Sequence, residues 1–138
     1  MRLPDRAKKL IRSGALGHLV TIGSAGRPQV TCVWVDVDGD QLVTAHLNPA
    51  QRKLENVRRD PRVTISFEGT EIHPPGLCEY LVVRGTAELE EGGAPELLQK
   101  LARVYLGPDV KFPPMDDPPP GVRIRITPEH LSGIGPWS

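Results

Sequence analysis

Residues 46–59, HLNPAQRKLENVRR, decide how the chain is organised. The preceding residues 41–47 favour a strand, and this strand ends at Asn48-Pro49. Asn at the N-cap and Pro at the first helical position are a strong local signal for the start of a helix. The sequence therefore predicts a strand that runs directly into a helix, which extends from Pro49 to Asp60.

The first turns of this predicted helix are basic. They carry Arg52 and Lys53, although the free backbone N–H groups and the positive end of the helix dipole disfavour cations there. Lys53 and Asn56 share one face of the helix, so we expect a phosphate to bind on that face. The alternative is that Arg52 and Lys53 form a solvated edge of an amphipathic helix.

Length and composition restrict the classes of function. The chain has 138 residues, enough for a single domain, residues 1–138, with a real core, and its 17 basic residues balance 17 acidic ones. This neutral charge, together with two residues each of Trp, Tyr and Phe, argues against binding to nucleic acid. No apolar run reaches the roughly 20 residues of a membrane helix, so we expect no membrane partner.

Cysteine and histidine spacing restricts the chemistry. Cys32 and Cys78 are far apart, and the first 14 residues contain no apolar signal core, so we expect a reduced, cytoplasmic protein. The histidines are scattered singly among different segments, as His18, His46, His73 and His130. Because this is not the paired spacing of a metal site, we expect no metal.

The first half of the chain has the pattern of a helix followed by a meander of strands. Residues 4–13, PDRAKKLIRS, predict a short amphipathic helix. Three strands follow, LGHLVTIG, QVTCVWVDV and QLVTAHL, joined by the turns SAGRP and DGD. The second strand is apolar or small on both faces, which predicts that both are covered, one of them by a ligand or a partner.

The second half adds three strands and a helix. RVTISFEG is the fourth strand, EIHPPGL a loop, and EYLVVRGTAELEE a long fifth strand with a bend or bulge at Gly85. PELLQKLARVYLG predicts a helix, and residues 108–121 form a Pro-rich loop, either a lid or a crossover, before the last strand VRIRIT and a tail. The predicted fold is mainly β (α+β), a six-stranded antiparallel barrel with peripheral helices.

Four segments carry a resemblance to a known superfamily. They are GHLVTIGSAGRPQVTCVWV, QRKLENVRRDPRVTISF, YLVVRGTAEL and VRIRITPEHLSGIGPW. In this order and spacing they resemble the FMN-binding split β-barrel oxidoreductases, the flavin and deazaflavin superfamily of pyridoxamine 5′-phosphate oxidase. The closest resemblance is to its F420-dependent branch, and it covers nearly the whole chain.

The resemblance implies a homodimer whose cofactor lies in a groove between two barrels. F420 is the implied cofactor and FMN the alternative. The ring would lie along the second and third strands, against Thr31, Cys32, Val33, Trp34, Ala45 and His46. The phosphate end would meet Gln51, Arg52, Lys53 and Asn56, with Arg58 near by.

Two departures from the family pattern matter. Family members often carry a second basic residue where this chain has Gln51, so Arg52 is expected to point off the site. The oxidases of pyridoxamine phosphate are also longer and end in an arginine motif, whereas this chain ends in GIGPWS. Oxidation of vitamin B6 is therefore not expected. Trp137 is interpreted either as dimer packing or as a side chain that closes the cofactor groove.

The expected reaction is hydride transfer between F420 and a small organic acceptor, chemistry that the cofactor carries. His46 and Tyr80 are the candidate proton donors, and the alternative for His46 is packing at the strand end. A longer basic track for the carboxylates of F420 would include Arg58, Arg59 and Arg62, unless these pair with neighbouring acids. The other open functions are an FMN-binding oxidoreductase and a non-catalytic carrier of a flavin, deazaflavin or tetrapyrrole.

Overall fold

A computed structural model describes residues 1–137, and within them the chain forms one seven-stranded antiparallel sheet and three helices. The helices are α1 (Asp5–Arg12), α2 (Arg52–Arg59) and α3 (Ala94–Tyr105). The strands are β1 (Gly17–Ile22), β2 (Pro28–Val33), β3 (Asp36–Asp38), β4 (Gln41–His46), β5 (Arg62–His73), β6 (Leu77–Glu91) and β7 (Val122–Ile134). Their order is β2-β1-β5-β6-β7-β4-β3, and the sheet curls into a split barrel.

The barrel interior is the hydrophobic core. Alternate residues of the strands point into it, and Ile65, Phe67, Leu81 and Ile124 are fully buried there. This alternation follows from the two-residue period of a strand. The apolar face of α1 joins the same core, as the sequence predicted. None of the helices within residues 1–137 is long and apolar enough to cross a membrane.

The start of α2 was predicted three residues too early. The side chain of Asn48 accepts a hydrogen bond from the Ala50 N–H at 2.9 Å, and Asn48 thereby closes a turn before the helix. The first helical residue is Arg52, and Gln51 occupies the N-cap without a capping hydrogen bond from its side chain. The amide that was expected to cap the helix is therefore used by the turn.

The predicted second strand is divided into β2 and β3, so the described sheet has seven strands and not six. The Val35 N–H lies between them and donates to the hydroxyl of Tyr105 on α3 at 3.1 Å. That contact takes the amide of Val35 away from the ladder. β3 then pairs with β4 and not with the neighbours of β2.

β5, β6 and β7 are longer than predicted, and β6 contains the predicted bulge. The bulge predicted at Gly85 is confirmed, because the β6–β7 register shifts between Arg84 and Gly85. A Cβ at position 85 would lie 2.1 Å from the Thr127 carbonyl oxygen. This shift accommodates Pro128 within β7, so the predicted tail continues the strand. β5 and β6 likewise extend into the predicted loop and leave residues 74–76 as a tight turn.

The Pro-rich residues 108–121 form a crossover from α3 to β7. The side chain of Gln99 fixes this segment to α3, because it donates to the Val110 carbonyl at 2.8 Å and accepts from the Phe112 N–H at 3.0 Å. The ring of Phe112 lies 5.3 Å from that of Trp34. The sequence was compatible with either a lid or a crossover, and these contacts favour the crossover.

Candidate functional site

The candidate site lies where β4 ends and α2 begins. On β4, Leu42, Thr44 and His46 alternate toward the interior, so the imidazole of His46 lies at the end of the barrel. α2 packs on the barrel through Leu54 and Val57, which are buried. The ammonium group of Lys53 is therefore held close to the imidazole and to β2.

His46 is a buried, neutral imidazole. It is 6% exposed, and its Nε2 lies 2.8 Å from the Thr44 hydroxyl oxygen. Burial and then the charge of Lys53 lower its pKa from 6.5 to about 4, while the amide of Gln51 acts in the opposite direction. His46 is therefore not an imidazolium near neutral pH, and the predicted role of proton donor is not supported. Thr44 was missed, although its position two residues before His46 placed it on the same face.

Lys53 is a half-buried cation without a carboxylate partner. Burial lowers its pKa from the ordinary value, and the Cys32 thiol acts in the opposite direction. Among the ion pairs of residues 1–137 there is none that involves Lys53. A partly desolvated ammonium group lacks the compensation that an anion would provide. Lys53 is thus positioned to receive an anionic ligand.

Two further side chains at this end carry buried oxygen atoms that lack a partner. They are the Thr31 hydroxyl and the Gln51 amide oxygen, two of three such atoms within residues 1–137. Buried polar atoms nearly always have a partner in native proteins, and since the Gln51 amide also faces the imidazole of His46, the Thr31 hydroxyl is the clearer indication of a missing ligand. Thr31 precedes Cys32 on β2, and Gln51 precedes α2. We refer to Thr31, Cys32, His46, Gln51 and Lys53 as the β4–α2 site.

Asn56 has a structural role, which differs from the predicted ligand contact. It is 2% exposed, and its amide nitrogen donates to the Thr21 hydroxyl at 3.0 Å and to the Gln29 amide oxygen at 2.8 Å. Its own oxygen accepts a hydrogen bond from Arg59 at 3.0 Å. Because these contacts use both donors of the amide, Asn56 connects α2 to the β1–β2 hairpin.

The arginines around α2 point in different directions. Arg52 lies with Arg27 and Arg59 along a cleft of about 610 Å³ between α2 and the β1–β2 turn, and Lys53 does not line this cleft. That Arg52 points off the site stays a prediction. Arg58 is exposed and makes no ion pair within the described chain. Arg62 is paired with Asp60 at 2.7 Å, as the alternative interpretation of this basic track predicted.

Three side chains predicted to line the cofactor ring make packing contacts within the chain. Trp34 stacks on Tyr105 with ring centroids 5.4 Å apart. Ala45 packs against α3 in a second hydrophobic cluster, and Val33 is buried in the main core. The resemblance placed these residues against the cofactor ring, and within the chain Trp34 and Ala45 belong to the cluster with α3 while Val33 faces the barrel interior. The side chain of Trp34 is partly exposed and remains able to contact a ligand.

Tyr80 and Trp137 lie at the opposite end of the barrel. On β7, Val122 pairs with His46 and Ile134 pairs with Tyr80, so twelve positions along the strand separate the two ends. Trp137 is 8% exposed, and its indole N–H donates to the Tyr80 carbonyl at 3.1 Å. Within one chain, Trp137 therefore cannot close a groove at Lys53, and Tyr80 cannot serve the same site as His46.

Comparisons with known proteins identify the family and agree with the fold. A family model described as pyridoxamine 5′-phosphate oxidase matches residues 3–135. A solved F420 reductase is 29% identical, with a TM-score of 0.72, and the match covers 94% of this chain and 98% of the other. A conserved hypothetical protein of Mycobacterium tuberculosis is 23% identical, with a TM-score of 0.70 and coverage of 96% and 84%. A Listeria innocua protein, provisionally assigned as a pyridoxamine 5′-phosphate oxidase, is 23% identical, with a TM-score of 0.67 and coverage of 94% and 96%.

Proposed function

The chain belongs to the pyridoxamine 5′-phosphate oxidase family of split-barrel, flavin-type oxidoreductases, and we propose that it is an F420-dependent oxidoreductase that acts on a small organic molecule. The observation that carries this proposal is the β4–α2 site. There, an unpaired, half-buried Lys53 lies at the same barrel end as the partnerless oxygens of Thr31 and Gln51. The phosphate of a cofactor would compensate the charge of Lys53 and accept a hydrogen bond from the Thr31 hydroxyl.

The residues present fit the phosphate end of such a cofactor. The ammonium group of Lys53 provides charge, and α2 begins with backbone N–H groups that no side chain caps. The Thr31 hydroxyl can donate a further hydrogen bond. Because Lys53 is half-buried, its attraction for a phosphate is screened less than that of a surface lysine.

The protein's part in the reaction is to hold and orient the cofactor and the substrate, and to exclude water from them. When bound, the deazaflavin or flavin ring supplies hydride transfer. His46 stays neutral, so it adds no positive charge that would repel the neighbouring ammonium group of Lys53. Because His46 is neutral and Tyr80 lies at the other end of the same chain, we propose that the proton reaches the acceptor from solvent.

F420 is favoured over FMN by charge. F420 carries carboxylates beyond its phosphate, and Arg27, Arg52 and Arg58 offer exposed guanidinium groups without an ion pair in the described chain. The 29% identical F420 reductase supports the same choice. FMN is the second candidate, because the family model that matches nearly the whole chain carries the description pyridoxamine 5′-phosphate oxidase.

We propose that the protein acts as a homodimer whose groove holds the cofactor. β2 is an edge strand, and its outer face exposes Val30, at 59%, and Cys32. The sequence predicted that both faces of this strand are covered, and in the single chain one face is open. A second copy that packs on this face would cover it and complete the wall of the β4–α2 site.

The test is a calorimetric titration with F420 and, separately, with FMN at one salt concentration. We expect tighter binding of F420, and we expect Lys53→Met to weaken it by about 10- to 150-fold, the value of one charge-assisted contact of about 1.5–3 kcal/mol. Lys111→Met is the matched control, because Lys111 is exposed on the crossover segment. Binding of neither cofactor, or an unchanged affinity in Lys53→Met, would contradict the assignment. Tighter binding of FMN would favour the second candidate.

A further inference from the structure

We propose that Glu71, His73 and Glu79 form a binding site for a divalent transition-metal ion, which we call the hairpin site. One ligand atom of each residue lies within 4.8 Å of the other two. The three residues stand near the turn between β5 and β6, at the barrel end remote from Lys53. The proposal therefore does not depend on the proposed cofactor.

A β-bulge brings the three side chains together. Glu68 pairs with Tyr80 and Ile72 with Cys78, so three residues of β5, 69–71, stand opposite Glu79 alone. Such irregularities change the direction of side chains and are frequent beside functional sites. Glu71 and His73 are two positions apart and share one face of β5. Sequence spacing alone could not have paired them with Glu79.

Glu79 has a largely buried side chain whose carboxylate faces the imidazole of His73. The residue is 7% exposed, no hydrogen bond of residues 1–137 involves its carboxylate, and the Nε2 of His73 lies 3.6 Å from its Oε2. Burying a carboxylate in this way is costly unless a cation or hydrogen bonds accompany it. The space for it comes from Gly69, since a Cβ at that position would lie 2.0 Å from Glu79 Oε1.

His73 supplies the second indication of a ligand. Its Nε2 is inaccessible to solvent and has no hydrogen-bond partner, although it faces the Glu79 carboxylate. One imidazole and two carboxylates are suitable ligands for Zn²⁺ and its first-row neighbours. Around a tetrahedral Zn²⁺ at about 2.1 Å, ligand atoms are roughly 3.4 Å apart. His73 and Glu79 already have nearly this separation.

Glu71 completes the set after a small movement. Its carboxylate contacts Arg6 at 2.7 Å, and both side chains are about half exposed, 54% for Glu71 and 49% for Arg6. Exposed ion pairs of this kind contribute about 0–1 kcal/mol, so a metal ion can displace Arg6. The fourth position would then hold water or an exogenous ligand.

Trp137 provides an optical probe of the hairpin site. Its side chain lines a cleft of about 370 Å³ together with Glu71 and Glu79. The chain has two tryptophans, so Trp34→Phe leaves Trp137 as the single indole fluorophore. Co²⁺ bound to the three residues should quench its fluorescence, whereas Zn²⁺ competes with Co²⁺ without absorbing visible light.

The experiment is titration of chelator-treated protein with Zn²⁺ by calorimetry and with Co²⁺ by Trp137 fluorescence. We expect one ion per chain, and at least tenfold weaker binding in His73→Ala and in Glu79→Gln. His130→Ala is the control, because His130 is exposed on a different part of the sheet. Arg6→Ala should strengthen binding several-fold, because it removes the cation that competes for Glu71.

Three results would overturn the proposal. They are the absence of Zn²⁺ binding to the folded wild-type chain, equal loss in His130→Ala, and unchanged affinity in His73→Ala. If Glu79→Gln does not fold, His73→Ala decides, since its side chain is partly exposed and its removal leaves no large cavity. F420 affinity measured on His73→Ala separates this proposal from that of the cofactor site.

Discussion

The buried imidazole of His46 gives the protein a pH-dependent stability of calculable size. In the folded state its pKa is lowered from 6.5 to about 4, first by burial and second by the charge of Lys53. The unfolded chain binds a proton at the ordinary pKa of about 6.5. Between these values the unfolded state binds more protons, so the free energy of unfolding rises with pH. The contribution is fully present above pH 6.5 and is lost as pH falls toward 4.

The size follows from the shift. Each pKa unit corresponds to about 1.36 kcal/mol, so the full contribution is about 3 kcal/mol, of which about 2 kcal/mol is lost between pH 7 and pH 5. Hydrogen bonds and nearby cations also depress the pKa of the carboxyl groups of Asp40, Asp60 and Glu90. These carboxyl groups change the free energy of unfolding mainly below about pH 4.5, where the carboxyl groups of the unfolded chain begin to bind protons. The interval from pH 7 to pH 5 therefore isolates histidine.

The assay is urea-induced unfolding at pH 7, 6 and 5 for wild type, His46→Gln and the surface control His130→Gln. We expect wild type and the control to lose about 2 kcal/mol over this interval, and His46→Gln to lose much less. The comparison uses the slope with pH, so an overall loss of stability in His46→Gln does not affect it. The same slope in all three proteins would refute the reasoning.

Two side chains that connect distant elements give further predictions. Asn56→Ala should lower the free energy of unfolding by about 3 kcal/mol, because it leaves buried groups such as the Thr21 hydroxyl without a donor; equal stability of Asn56→Ala and the exposed-site control Arg58→Ala in denaturant would contradict this role. Tyr105→Phe should cost about 2 kcal/mol in the same measurement, because the hydroxyl bonds to the Val35 N–H and to a second backbone group. A loss under about 0.5 kcal/mol would show that water replaces the hydroxyl.

Local patterns predicted most of the fold but few of its boundaries. Alternating strands, turn residues and helix periodicity were sufficient for the barrel and its three helices. The early start assigned to α2 arose because the side chain of Asn48 serves an N-cap and a turn equally well. The break before β3 depends on Tyr105, which is 70 residues from Val35 in sequence. No local sequence pattern predicts such a contact.

The candidate site was predictable where charge was in an unusual place. Lys53 stood out because it is a cation at the start of a helix, where cations are disfavoured. Trp34 and Ala45 were assigned to the cofactor ring by the resemblance to the family, which does not show that Tyr105 and α3 pack against them within the chain. Trp137 was left open between dimer packing and closing the groove, because an aromatic residue indicates burial without indicating what buries it. Asn56 was misjudged for a related reason: its partners on β1 and β2 are distant in sequence, and an amide in a helix could face either way.

Each open end of the barrel has a charged group with few partners, and the two have opposite sign. Lys53 has no carboxylate partner at one end, and the carboxylate of Glu79 has only the imidazole of His73 at the other. Along β7 these ends are twelve residues apart, at about 3.3 Å each, which is several times the Debye length of about 8 Å at physiological salt. The two groups cannot neutralise one another across that distance. Each charge must therefore be compensated locally, so a ligand at one end leaves the affinity of the other end unchanged.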